Sequence, residues 1–329
     1  MPPEPCWILC ASDDNVAHAL SVTLVSLIEN CSSAVELHIV IVDNGISPDK
    51  RRRLERVLQR NARGHFWEWK KADKSSLQGL KPSLHITPTA YLRLFMEDLL
   101  PPDVNRVCYL DCDTLILGDI AELNRFDLRG KTLGAVRDYN VDNWKHPDSS
   151  IGRSYLPTLD AQEAQSLNLD TPYFNTGVLV VDLGRWRERN IKEKALDYAR
   201  RFGKEGFCDQ DAINVTVDGD WQSLPLRWNV QGAIFFLELL GDTPLKARLL
   251  SQRAGLLRDA QIMHFAGPLK PWYSCSRQSY APLWRQTLLR SGWFSPHEAM
   301  LWRLKLAVGK ARDRFIEAIG RRPFVERTH

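Results

Sequence analysis

At 329 residues with 44% hydrophobic content, the chain can bury a large core, which excludes a disordered protein and fits one sizeable α/β domain with an appendage. The formal charge of +4 is small for this length, which disfavours a general nucleic-acid-binding role unless the excess is concentrated, and it is concentrated at the C-terminus.

In chain order, residues 6–11 read as a strand, 18–30 as a helix, 35–42 as a strand and 49–61 as a helix with Ser47 as N-cap and Pro48 in the first turn. Residues 66–69, 104–110, 133–136 and 177–181 continue as strand candidates, with helices between or after them, notably 192–202. This alternation predicts a mostly parallel, doubly wound sheet. The region from 139 to 172 is long, polar and broken by Pro147, Gly152, Pro157 and Pro172, the character of an active-site cover, with Trp144 and Tyr155 able to stack on a sugar or simply to pack. From about residue 244 the strand rhythm weakens without a repeat or low-complexity linker, so the last third reads as an extension of one domain. Seven cysteines, odd in number and without a CxxC pair, lie mostly in apolar runs, as in a reducing compartment. With no leader-like N-terminus and no window of the roughly 18 apolar residues needed to span a bilayer, a cytoplasmic protein is expected.

The apolar run Val107-Cys108-Tyr109-Leu110 stops on Asp111-Cys112-Asp113. At the carboxyl end of a buried strand, where open α/β sheets place their crevices, two carboxylates suit a hard cation such as Mn²⁺ or Mg²⁺ that carries a nucleotide diphosphate. Taken alone, the pair fits helix capping or loop solvation equally well. The first strand runs into Ala11-Ser12-Asp13-Asp14-Asn15 with no GxGxxG, so a dinucleotide fingerprint is absent, and this acidic turn suits either a base and ribose or the capping of the next helix. His264-Phe265-Ala266-Gly267-Pro268-Leu269-Lys270 offers an imidazole for Mn²⁺, a glycine for close backbone approach and a lysine point charge for a pyrophosphate; by itself the histidine fits a core position. Phe174-Asn175-Thr176-Gly177 opens a strand-like run with an amide suited to sugar hydroxyls, or is an ordinary turn, and Asp209-Gln210-Asp211 precedes a helical stretch that Asp209 could cap.

The ordered set Asp-x-Asp, FNTG, DQD and HxxGxxK resembles glycosyltransferase family 8, the retaining GT-A nucleotide-sugar transferases, over roughly residues 6–275, and within it the bacterial branch that adds α-galactosyl or α-glucosyl residues to lipopolysaccharide and lipooligosaccharide cores. The resemblance implies a Rossmann-like GT-A catalytic domain, placed over residues 1–292, while residues 293–329 read from their own spacing and charge as a basic amphipathic tail. It implies Mn²⁺, with Mg²⁺ as the alternative, on Asp111, Asp113 and His264. Ala11, Asp13 and Asn15 would contact uridine, and Gly267 and Lys270 the diphosphate of UDP-galactose or UDP-glucose. Arg93, Asp138, Asn175, Asp209 and Gln210 would surround the donor sugar, Asp138 being anchored only by Asp-aromatic at 138–139. Ser12 departs from the family's usual alanine. Gln210 stands where the family places the residue nearest the reacting face, and because an amide is a poor nucleophile it favours front-side substitution, although Asp209 or Asp138 could contribute.

Two other classes are weighed. A haloacid-dehalogenase-type phosphatase also carries Asp-x-Asp, but wants Thr or Val where this chain has Leu115 and sits near a domain start. A glycan-binding protein without turnover would not require the full expected set of metal and phosphate ligands. In the tail, Leu301, Leu304, Val308, Ala311, Phe315 and Ala318 recur at helical spacing among eight Lys or Arg and four Asp or Glu between 297 and 329. Such a helix either packs on the domain or lies on an anionic membrane beside a lipid-linked acceptor, assisted by Trp302 and Phe315. The latter makes the protein peripheral on the cytoplasmic membrane face.

Overall fold

A computed structural model describes residues 5–62, 64–71, 75, 78–80, 88–139, 172–202, 209–237, 244–267, 269–276 and 278–318. The first half contains β1 (Pro5–Ser12), α1 (Ala17–Asn30), β2 (Glu36–Asp43), α2 (Pro48–Asn61), β3 (Phe66–Lys71), α3 (Met96–Leu99), β4 (Arg106–Leu110), β5 (Thr114–Ile116), α4 (Ile120–Asn124) and β6 (Leu133–Arg137). There follow β7 (Phe174–Asp182), α5 (Leu183–Glu188), α6 (Ile191–Phe202), α7 (Asp209–Val217), β8 (Trp221–Ser223), β9 (Val230–Gln231), α8 (Pro244–Arg258), β10 (Ile262–His264), α9 (Ala281–Arg290) and α10 (Pro296–Ala318). A 3-10 segment, Pro88–Phe95, leads into α3.

Among the described residues, seven strands form one sheet in the order β3-β2-β1-β4-β7-β6-β8. Strand β1 pairs in parallel with β2 along its whole length and with β4 on its other side. Its residues alternate between two cores. Ile8 and Cys10 point into one apolar cluster, Leu9 and Ala11 into the other, so both faces are covered and the sequence reads as a continuous apolar run. Helix α1 is buried at nearly every position from Ala17 to Leu27, which explains why it shows little amphipathic contrast. Because β2 and β4 lie on opposite sides of β1, the winding reverses there, and the crevice beyond the ends of β1 and β4 is the place where such sheets bind ligands.

The mostly parallel expectation holds with β7 as the exception: it runs antiparallel to both β4 and β6, with an irregularity at Ala135/Val136. It also begins at Phe174, three residues before the expected start, so FNTG is strand and not a turn leading to one. A second sheet, β5-β10-β9, was not expected. Its strands of two or three residues are too short to show alternation. Ser47 occupies the N-cap position of α2 but makes no side-chain cap bond; its N–H instead donates to Asp14 Oδ1. Nor does the Asp13–Asn15 turn cap α1, whose N-cap position is Val16 without a side-chain bond. The proposed cover with Trp144 and Tyr155 lies, between 140 and 171, outside the described residues.

Helix α10 is moored to the domain. Arg53 on α2 pairs with Glu298 at 2.7 Å, Trp302 packs on Phe294 with ring centroids 5.8 Å apart, and the buried Asp313 accepts from Ser274 Oγ at 2.7 Å. Trp302 is half-buried in this contact. Leu301, Leu304, Val308 and Phe315 are exposed, Val308 by 70%, so this stripe faces away from the core. No helix among the described residues is long and apolar enough to cross a membrane.

Candidate active site

The chain leaves β4 at Leu110 and turns through Asp111-Cys112-Asp113 into β5, which pairs antiparallel with β10 and sets His264 opposite Thr114. The small sheet is therefore the device that folds the histidine over the carboxylates. One ligand atom from each of Asp111, Asp113 and His264 lies within 4.8 Å of the others. His264 Nε2 is 3.2 Å from Asp113 Oδ1 and 3.7 Å from Asp111 Oδ2. Burial works against charge on Asp113, but Lys270 and His264 outweigh it and hold the carboxyl well below its usual range, so it is anionic at any working pH. Two carboxylates and a buried imidazole converging this way are a donor set suited to Mn²⁺ or Mg²⁺.

Asp111 is built into the core. Its backbone N–H donates to Gly177 O at 2.8 Å, and its Oδ1 accepts from Arg93 Nη2 and Tyr109 Oη, both at 2.9 Å. Arg93, only 5% exposed, also donates through Nη1 to Thr176 O and Oγ1, pairs through Nε with Asp209 Oδ2 at 3.0 Å, and lies over the Tyr109 ring. A guanidinium this deep is tolerable because each face of its fork finds a partner. Burial pushes the Asp209 carboxyl up to about 7, with Arg93 opposing the rise and Asp111 adding to it. Asp209 is the first residue of α7, yet its carboxylate pairs with Arg93 where helix capping was the local expectation.

Beside Arg93 lies a buried polar cluster. Asn175 Nδ2 donates to Asp138 Oδ2 at 3.0 Å and to Gln210 Oε1 at 3.2 Å, Gln210 Nε2 donates to Asp138 Oδ2 at 3.2 Å, and Thr176 N–H donates to Gln210 Oε1 at 3.1 Å. The five residues expected around a donor sugar thus come together from the 3-10 segment, the end of β6, β7 and α7. Ala11 is buried at the end of β1, and Asp13 accepts from Asn15 N–H and from Thr89 Oγ1. Gly267 sits three residues past His264 with φ +92°, a conformation only glycine adopts readily. Lys270 Nζ donates to Asp113 Oδ2 at 2.5 Å and to Phe265 O at 2.9 Å, so its ammonium lies against the metal-ligand carboxylate.

Three participants escaped the sequence reading. Tyr109 and Thr176 hold Asp111 and Arg93, and Asn229, fully buried before β9, lies with its Oδ1 3.1 Å from His264 Nδ1. A tyrosine inside an apolar strand and an asparagine between apolar residues carry no spacing signal; only the motif-borne Thr176 had one. Gly177, the last residue of the FNTG motif, is required for a steric reason. A Cβ there would meet His264 Cε1 at 2.2 Å and Asp111 Oδ2 at 2.7 Å.

The folded chain superimposes on a galactosyltransferase, LgtC, solved with donor and acceptor sugar analogues, with a TM-score of 0.68 at 23% identity over 86% of this chain and 95% of that one. That likeness establishes the GT-A fold. The model of glycosyl transferase family 8 matches residues 7–276, and the chain belongs to that family. It is 32% identical to General stress protein A of Bacillus subtilis (strain 168) over 84% of this chain and 91% of that protein. It is 28% identical to the lipopolysaccharide 1,2-glucosyltransferase of Escherichia coli (strain K12) over 64% of this chain and 57% of that enzyme.

Proposed function

We propose that the chain is a retaining, metal-dependent transferase that moves galactose or glucose from its UDP derivative to a glycan acceptor in an α-linkage, the acceptor being a lipopolysaccharide or lipooligosaccharide core. The observation that carries this reading is the convergence of Asp111, Asp113 and His264 at the reversal point of the sheet, beside the buried cluster of Arg93, Asp138, Asn175, Asp209 and Gln210. When bound, Mn²⁺ supplies positive charge against the departing diphosphate. Lys270, within reach of the same carboxylate, adds a second cation for the pyrophosphate, and Asp13 with Asn15 offers polar groups to uridine. Gln210 Oε1 already accepts from Asn175 and Thr176, so its lone pairs are engaged inward and the residue suits positioning better than nucleophilic attack. In the front-side route this favours, the donor phosphate oxygen takes the proton of the acceptor hydroxyl as the new C–O bond forms on the face the leaving group vacates. The test is a donor screen with Mn²⁺ and UDP-galactose, UDP-glucose, UDP-N-acetylglucosamine and UDP-glucuronate. UDP release should be fastest with one of the first two, and phosphate release from an aryl phosphate in place of any UDP release would discard the reading.

The same proposal places the enzyme on the cytoplasmic face of the membrane through α10 and the residues after it. The exposure of Leu301, Leu304, Val308 and Phe315 beside Arg303, Lys305, Arg312 and Arg314 supports it, since an apolar stripe packed on the domain would be covered. At about 1 kcal/mol per basic residue near an anionic leaflet, attachment should be reversible and salt-sensitive. Replacing the exposed Leu304 and Val308 by Glu is expected to abolish sedimentation with anionic liposomes while sparing transfer to a short soluble acceptor. Undiminished liposome binding by this variant counts against the docking.

A further inference from the structure

The metal-ligand triad and the donor-sugar cluster are joined on the Asp111 side by Arg93 and on the His264 side by a buried asparagine whose hydrogen bonds have a direction that can be deduced. The deduction starts from a group with no freedom: the backbone N–H of Gly177 can only donate, and it donates to Asn175 Oδ1 at 3.0 Å. The oxygen of Asn175 therefore faces Gly177, and its NH₂ faces Asp138 and Gln210, as carboxylate and amide acceptors require. Asn229 lies 2.9 Å from that same Asn175 Oδ1, so Asn229 must present its NH₂ there. Its own oxygen is then the atom 3.1 Å from His264 Nδ1, and an oxygen without a hydrogen can only accept. His264 consequently carries a proton on Nδ1, so in the neutral ring Nε2, 3.2 Å from Asp113 Oδ1, is the nitrogen left with a lone pair to offer a metal. None of this depends on which way an amide was drawn, because the backbone N–H fixes the whole series.

We infer that Asn229 is a positioning residue that fixes the metal-binding tautomer of His264 and ties it, through Asn175, to Asp138 and Gln210; this rests on the reading of Asp111, Asp113 and His264 as metal ligands. The outer hydrogen bond of a ligating imidazole orients the ring and sets its basicity. Here that outer partner is a neutral amide, fully buried, whose other end is committed to the residue that meets the donor-sugar cluster. A shift of His264 is thereby transmitted to Asn175, and a shift of Asn175 to the imidazole, without passing through solvent.

The test uses the full chain and two readouts. In metal-free protein, the ¹⁵N shifts of the neutral His264 ring should report the Nδ1–H tautomer, and the Nε2–H tautomer in the wild type overturns the inference. Mn²⁺ is then titrated in the presence of UDP, with the free ion followed by electron paramagnetic resonance. Asn229→Ala should weaken Mn²⁺ binding by about 10–100-fold, the usual effect of removing such a partner. Asn229→Asp keeps an acceptor for Nδ1–H but cannot donate to Asn175, so it should restore most of the Mn²⁺ affinity while sugar transfer stays depressed. Wild-type Mn²⁺ affinity in Asn229→Ala, or equal loss in both variants, overturns the inference. If Asp113→Ala binds Mn²⁺ as the wild type does, the metal reading itself has failed, a result separable from the tautomer measurement.

Discussion

Asp113→Ala is expected to lower sugar transfer at least about 100-fold while the protein still melts cooperatively close to the wild-type temperature. The activity loss follows from charge: a metal that polarises the leaving diphosphate contributes several kcal/mol, and about 3 kcal/mol already corresponds to more than 100-fold in rate. The preserved fold follows from the position of the side chain. Its carboxylate contacts Lys270 and His264, and neither needs it for packing, since Lys270 keeps Phe265 O and His264 keeps Asn229. Asp111 differs. Its removal takes a partner from the buried Arg93 and from Tyr109 Oη, and loss of one member of a buried charged group costs about 3–5 kcal/mol, so Asp111→Ala should lose stability and activity together. Chelation of the wild type should silence transfer and added Mn²⁺ restore it. Full transfer by Asp113→Ala in the presence of chelator would remove the metal from the account.

Gly177→Ala, a single added methyl group, is expected to reduce transfer by about 100-fold, the scale on which a reacting group misplaced by about 1 Å is penalised. The new Cβ would fall 2.2 Å from His264 Cε1 and 2.7 Å from Asp111 Oδ2, distances at which something must move. Both neighbours are constrained: His264 by pairing of β10 with β5 and β9, Asp111 by its own N–H on Gly177 O and by Arg93. Since neither can swing away freely, overpacking should cost about 1–3 kcal/mol of stability as well. A transfer assay and a thermal melt on the same sample measure the two effects, and Mn²⁺ titration reports the displacement of His264 and Asp111. Unchanged Mn²⁺ affinity would mean that the site has more slack than its contacts indicate.

The start of the fold was legible because its signals are local. The apolar run 6–11, the helix 18–30 and the strand 35–42 each appear within one residue of the expected limits, since a doubly covered strand needs every residue apolar and Asn30 ends α1 where the apolar pattern ends. Strand direction is not local. Nothing in Phe174–Asp182 says that it will run against β4, because an apolar strand reads the same both ways. The site shows the same division. Asp111, Asp113 and His264 are marked by residue type and order, whereas the turn through β5 that brings them within 4.8 Å is three residues long and leaves no periodic trace. Asn229 and Tyr109 were invisible for a further reason: each acts through individual hydrogen bonds made only in the folded site, and a lone polar side chain inside a hydrophobic stretch looks like any other.

The pairing of β5 with β10 joins chain segments that lie far apart in the sequence, and this governs when the site can exist during folding. The β1–α1–β2 unit can form from neighbouring residues, but closing the long loop between Asp113 and His264 must wait until the intervening strands have docked, because its entropic cost precedes its reward. A nascent or partly folded chain therefore carries both carboxylates and no site. Ligands that recognise the completed triad bind the native state alone, and one present at 100 times its dissociation constant would shift the folding equilibrium by about 2.7 kcal/mol. A donor that binds the completed triad is therefore expected to slow proteolysis of the chain by the same margin.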